Sequence, residues 1–355
     1  MKLRIFSLLA IFALLFSFAA CTQLEDKPGD STATDWTVPE TEPAQTPEVP
    51  ADPVAMRVYT MNGTTGFGMA KLMEDAANGL FKTEQYTFEV RSDFAKDVLP
   101  ALINGDADIA AIPTNGAAIA YNKTEGGVKV LAVNTLGCLY VIGKGKVNSL
   151  ADLAGKTVYA PAQNPTFIFR YLCQQNNISL TIDNQYTAPA DLATAVAAGE
   201  VDYAVLPEPM ITIAKNKAKA AGKTLEVSID LTAEWDRLDG MQGTLVQGCV
   251  VVRTAFLEAH PEAVLNFLRA YESSINYLNA NVEAAAELIV KHGIFAQAPV
   301  AKAAIPNCNV TFLAGEGMQT AMNAYLSVLY GIQPSAIGGK IPGDAFYCRN
   351  DQLGK

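Results

Sequence analysis

Apolar residues gather into short runs at 109–112, 139–142, 203–206 and 246–252, each bounded by Gly, Pro or polar residues. Runs of this length fit strands of a parallel sheet covered on both faces. Longer stretches repeat apolar residues at helical spacing. Phe67, Met69, Ala70, Met73, Ala76, Ala77 and Leu80 predict a helix over 67–80. Val264, Phe267, Leu268, Tyr271, Ile275 and Leu278 predict another, opened by His260-Pro261 with proline at the first helical position. Further helices are expected over 94–103 (with Pro100 as a kink or late start), 167–175, 192–198 after an Asp191 cap, 282–291 after an Asn281 cap, and 317–329. Additional strands are expected over 87–91, 128–133 and 157–160.

Part of this pattern occurs twice. Gly105-Asp106-Ala107-Asp108 precedes Ala110-Ala111-Ile112-Pro113, and Gly199-Glu200-Val201-Asp202 precedes Ala204-Val205-Leu206-Pro207. Upstream, Val58-Tyr59 and the polar loop 60–66 are answered by Val158-Tyr159 and the loop 160–166. The spacing is about a hundred residues, too long for a solenoid repeat and suited to two α/β lobes. The expected division is 55–140 plus 248–355 for the first lobe and 141–247 for the second, with 139–142 and 246–252 as the two crossings.

The N-terminus departs from this pattern. Lys2 and Arg4 precede an apolar run that is short for a membrane span, so 1–20 reads as an export signal. Its end, Phe18-Ala19-Ala20-Cys21, resembles the lipobox of bacterial lipoproteins, which implies a lipid anchor on Cys21. Residues 21–54 hold prolines among Thr, Glu and Asp with little apolar content, the composition of a disordered acidic tether. The remaining chain is long and apolar enough to bury a full core. The whole chain's formal charge of −10 and its lack of a basic cluster argue against nucleic acid as a partner.

Ligands of parallel α/β sheets lie outside the carboxyl ends of the strands. Four loops meet that rule, 62–66, 113–116, 161–166 and 207–210. They supply Asn62, Thr64, Thr65, Gly66, Thr114, Asn115, Gln163, Asn164, Thr166, Glu208 and Met210 as candidate ligand-binding residues. Trp235 is a further candidate as a stacking wall, a position that equally suits a core tryptophan. Asn, Thr, Pro and Gly also make good turns, so it is the matched position of four loops in two repeats that points to a site. Glu208 is their one acid, and no Arg or Lys occurs in them. Such chemistry binds a small polar or singly anionic molecule without transforming it.

Together, Gly105 to Pro113, Leu153-Ala154-Gly155-Lys156-Thr157-Val158, Val201 to Pro209 and Phe256 to Val264 resemble the substrate-binding proteins of ABC importers in the nitrate/sulfonate/taurine and thiamine-pyrimidine-precursor group. The resemblance covers about residue 55 onward. It implies an α/β, two-lobed periplasmic-binding-protein-like type II fold with two hinge crossings. It also implies a monomer that closes on a small molecule and delivers it to ABC permease subunits on the outer side of the membrane. A sensor presenting its ligand to a receptor, or a pyrimidine-precursor enzyme of the same fold, are the alternatives.

No catalytic, metal or cofactor motif emerges. Gly63, Gly66 and Gly68 lack the spacing of a phosphate loop, and the two histidines, His260 and His292, belong to no metal-binding pattern. Among the later cysteines Cys138 and Cys249 read as buried apolar residues, and Cys308 with Cys348 as a candidate disulfide.

Overall fold

Two sheets with the same internal strand order organise the chain. The computed structural model describes residues 52–353, all of which fall within one compact unit. The strands are β1 (Val54–Met61), β2 (Glu84–Arg91), β3 (Ile109–Pro113), β4 (Val128–Leu136), β5 (Leu139–Gly143), β6 (Thr157–Tyr159), β7 (Thr181–Asp183), β8 (Tyr203–Pro207), β9 (Glu226–Asp230), β10 (Val246–Arg253) and β11 (Val310–Leu313). The first sheet runs β11-β4-β10-β3-β1-β2 and the second β7-β6-β8-β5-β9. In each, the strand entered directly from the other lobe lies antiparallel to its neighbours. That strand is β10 between β3 and β4, and β5 between β8 and β9.

The sequence echo is therefore a structural repeat. Tyr59 of β1 pairs with Ala110 of β3, and Tyr159 of β6 pairs with Ala204 of β8. The main chain repeats the match at the far end, where Arg253 N–H donates to Asp108 O at 2.9 Å and Lys144 N–H to Asp202 O at 3.2 Å. The aspartates then diverge. Asp108 is buried and held by Arg57 and Arg253, whereas Asp202 pairs with Lys144 at the surface.

The chain leaves the first sheet through Gly137-Cys138 and returns between Asp230 and Val246. The runs 139–142 and 246–252, expected as crossings, are instead the strands β5 and β10. Their apolar runs reflect sheet interiors, because both strands have neighbours on either side. The two crossings press together at Gly137, where a Cβ would fall 2.2 Å from Thr232 Oγ1 and 2.6 Å from Leu245 Cδ2. Beside it, Cys138 N–H donates to Gln247 Oε1 at 2.7 Å.

Helix starts differ from the sequence pattern where glycine and proline intervene. The helix expected over 67–80 is a single turn, Thr64–Phe67, followed by Ala70–Ala77. Gly66 and Gly68 break the longer periodicity, as the poor helix propensity of glycine predicts. Residues Phe94–Val98 wind as a wide π-turn before Leu99–Asn104, the break falling just ahead of Pro100. Asp191 sits in the first turn of Pro189–Ala198, because Pro189 already supplies the start. Asn281 precedes Val282–Lys291 without a side-chain cap. The long helices Pro261–Ala280 and Gly315–Ile332 cover the first sheet, and the latter also packs on Asn164–Gln175 of the second lobe. No disulfide joins Cys308 to Cys348. Cys308 is a buried free thiol whose Sγ lies 3.6 Å from the Thr64 hydroxyl oxygen.

Candidate ligand-binding cleft

The carboxyl ends of β1, β3, β4, β6, β7 and β8 converge on a cavity of about 390 Å³. The first lobe contributes Asn62, Thr64, Thr65, Pro113 and Thr135, and the second contributes Asn164, Pro165, Pro207, Glu208 and Met210. Between them lie Cys138 at one crossing, Leu139 at the start of β5 and Gln247 near the start of β10, with Phe295 closing one side. All four loops expected from the sequence reach this cavity. No Arg, Lys or His belongs to its lining.

Two hydrogen bonds close the lobes over it. Thr64 Oγ1 donates to Glu208 O at 2.8 Å, in a fully buried contact. Asn164 Nδ2 donates to Asn115 Oδ1 at 2.8 Å. Behind the first-lobe wall, Asn134 is 1 % exposed and donates to Thr65 O at 3.2 Å and to Tyr271 Oη at 2.9 Å. Thr135 Oγ1 donates to Asn134 Oδ1 at 3.1 Å. This buried chain anchors the 62–66 loop to the core, a satisfied polar network of the kind that rigidifies its surroundings. Gly248 makes room for it, since a Cβ there would come within 2.5 Å of Asn134 Oδ1.

Of the residues singled out from sequence, Asn62, Thr64, Thr65, Asn164, Glu208 and Met210 line the cavity. Asn115 stands behind Asn164 and donates to Ala336 O at 3.2 Å. Gly66 is packed so closely that a Cβ would lie 2.1 Å from Met61 O. Thr114 is fully buried at the start of the helix Thr114–Lys123. Thr166 is buried, donating to Pro161 O at 2.8 Å and accepting from Asn184 at 2.6 Å. Gln163 is exposed, with φ of 70°. Trp235 is fully buried, donates to Thr244 Oγ1 at 2.9 Å, and lies between Tyr171 and Tyr325 where the lobes pack together. Thr135, Cys138, Gln247 and Phe295 were not singled out. They reach the cavity from a strand end, the crossings and a tail loop, which no local motif marks.

Glu208 divides its roles. Its main chain accepts from Thr64 and donates to Cys138 O at 3.0 Å. Its carboxylate turns to Thr212, accepting from the main-chain N–H at 3.1 Å and the hydroxyl at 3.0 Å. Burial pushes its ionisation up, outweighing these bonds and one from Asn307. Burial likewise pushes the Cys138 thiol up to about 12, which keeps it protonated and poorly nucleophilic. Among the described residues no group of three or more His, Cys, Asp or Glu is placed to hold a metal.

A ligand-sized cavity at the strand ends between two lobes of matching order defines the two-lobed periplasmic-binding-protein fold. The chain belongs to the NMT1/THI5-like family, whose model matches residues 70–285. No curated protein matches it by sequence. Solved structures do match. An ABC transporter protein from Parabacteroides distasonis is similar at a TM-score of 0.71 and 23 % identity, covering 84 % of this chain and 100 % of that one. The periplasmic aliphatic sulphonate binding protein SsuA from Escherichia coli is similar at 0.63 and 15 %, covering 81 % and 95 %. The Candida albicans CA3427 gene product, described as having the generic periplasmic binding protein fold, is similar at 0.51 and 14 %, covering 82 % and 99 %.

Proposed function

We propose that the protein is an extracytoplasmic solute-binding protein that captures a small polar or anionic organic molecule between its lobes and delivers it to an ABC importer. The observation that carries this reading is the cavity lined from both lobes and bridged by the Thr64–Glu208 and Asn115–Asn164 bonds. A ligand that touches both lobes binds the closed form better than the open one and so shifts the equilibrium toward closure. A permease then has a ligand-dependent surface to recognise. The family and the ABC-importer proteins among the structural neighbours support that step. Binding without turnover agrees with a lining that is neutral apart from Glu208 and with the protonated Cys138.

The export signal over 1–20, the lipid on Cys21, the tether over 21–54 and the monomeric state belong to the same proposal. The first two, and residues 21–51 of the third, lie outside the described residues, while Val54, expected as the end of the tether, already belongs to β1. No helix among the described residues is long and apolar enough to cross a membrane, so display at a membrane surface would rest on the Cys21 lipid. Changing Cys21→Ala should release the protein from the membrane fraction, and persistence there would remove the anchor from the proposal.

Native mass spectrometry of the purified protein, followed by denaturing extraction, tests the binding reading. A co-purifying small molecule whose removal opens the lobes in solution scattering supports it. Lobes that stay closed whether or not ligand is present would overturn it.

A further inference from the structure

We infer that Cys138 and Cys308 form one oxidation site, joined as an intramolecular disulfide when the chain folds under oxidising conditions. The inference concerns a crossing between the lobes and does not depend on the identity of the ligand.

Two short segments bring the pair together. β4 and β11 run antiparallel, with Val310 opposite Thr135. The pairing continues past both strand ends. Leu136 N–H donates to Asn309 O at 3.0 Å, and Asn309 Nδ2 donates to Gly137 O at 2.6 Å. Further along, Tyr140 Oη donates to Asn307 O at 2.9 Å. Residues 307–309 thus run along 137–140, with a tie on each side of the two cysteines. Segments paired in this way stand about 5 Å apart, within the roughly 4.4–6.8 Å that separates the Cα atoms of a disulfide.

The side chains turn to the same point. The Thr64 hydroxyl oxygen lies 3.6 Å from Cys308 Sγ. The same hydroxyl bonds Cys138, where it works against the burial that pushes this thiol up. A charge on Cys138 would push the Cys308 thiol higher still, so each sulfur lies in the other's field. Thr64 gives its own proton to Glu208 O, which leaves its oxygen to accept from S–H groups. Two thiols on adjoining segments therefore gather around one oxygen, and both are free in the structure.

Closing the bond takes one proton and one electron from each sulfur. A small disulfide such as oxidised glutathione accepts both electrons and both protons and leaves as two thiols. Burial sets when this exchange occurs. It keeps both sulfurs as unreactive thiols in the finished fold, so the exchange belongs to the folding chain. The same burial then shields the bond from reduction. Once formed, the bond fastens the Gly137-Cys138 crossing to the first lobe, beside the hydroxyl through which Thr64 reaches Glu208 of the second.

Peptide mapping tests this. The full chain is synthesised in a cell-free system at oxidising glutathione poise and in parallel at reducing poise. Each sample is quenched with N-ethylmaleimide, digested with trypsin without reduction and mapped by mass spectrometry. The oxidised sample should hold the Cys138 and Cys308 peptides linked, and the reduced sample should hold both alkylated. Because the bond would close a loop of about 170 residues, the oxidised protein should melt several degrees above the reduced one. Cys138→Ser and Cys308→Ser should each lose that gain; should neither variant fold, the wild-type map decides alone. Alkylated Cys138 and Cys308 in the oxidised sample overturn the inference, as does a link from either to Cys173, Cys249 or Cys348.

Discussion

Asn164 of the second lobe hands an amide proton to Asn115 Oδ1 of the first, 2.8 Å away, while Asn115 in turn donates to Ala336 O. One residue thereby serves both the closed cleft and the fold of the tail. Asn115→Ala removes both bonds and leaves Asn164 N–H and Ala336 O without partners. Ligand affinity should fall about tenfold, and the empty protein should lose about 1–2 kcal/mol, the usual cost of orphaned buried groups. Calorimetry and urea denaturation read the two effects separately. An unchanged empty-state midpoint would show that the Ala336 contact carries no weight.

Thr64 gives a cleaner separation. Its hydroxyl bonds Glu208 O across the lobes. Thr64→Ala should weaken ligand binding about fivefold while the empty protein melts close to the wild type, since one net hydrogen bond is worth about 1 kcal/mol. Thr64→Ser should restore affinity. Equal loss in both variants would assign the effect to the methyl group.

Glu208 is 4 % exposed and its ionisation is pushed up by burial. The folded chain therefore holds this proton to a higher pH than the unfolded chain does. Its contribution to stability falls as pH rises from the ordinary carboxylate range through the raised folded value, and is flat beyond it. Glu208→Gln should remove that slope and match or exceed wild-type stability near neutrality. A series of urea midpoints from pH 4 to 8 checks this, and a variant slope equal to the wild type would exclude Glu208 as its source.

Asp108 carries the opposite sign. Burial opposes its charge, yet the Arg57 and Arg253 bonds prevail and hold its ionisation below the usual range. Its stabilising contribution is present above the ordinary carboxylate value and is lost as pH falls through the depressed folded one. Asp108→Asn should cost about 1–3 kcal/mol near neutrality, the range for lost hydrogen bonds to a charged group whose arginine partners stay partly hydrated, and the gap to wild type should close in acid. Because the network lies at the strand ends remote from the cleft, ligand affinity should barely change.

The central strands were legible because each is buried from both sides and reads as an apolar run. The edges β7, β9 and β11 were not. Thr181–Asp183 has no fully buried residue, and Glu226–Asp230 has only Ile229 fully buried, so neither shows an apolar run. The cleft was legible where it repeats. The doubled strand-loop pattern led to Asn62, Thr64, Asn164 and Glu208, whereas Thr135 and Gln247 meet only after β10 has slotted between β3 and β4. The bonds that hold the cleft's side chains in place were hidden for another reason. Ala336 O, Thr65 O and Cys138 N–H belong to the main chain, which every residue shares and no sequence pattern marks.

That slot also sets an order of assembly. β5 through β9 are consecutive, so the second lobe can form from an uninterrupted segment. The first lobe cannot, because its middle strand is supplied only by residues 246–253, after the whole second lobe has been synthesised. A nascent chain stopped anywhere before that point carries β3 and β4 with a strand-wide gap between them. The first sheet therefore cannot be completed until late in synthesis, and its completion rests on contacts of long sequence separation, the kind that form slowly.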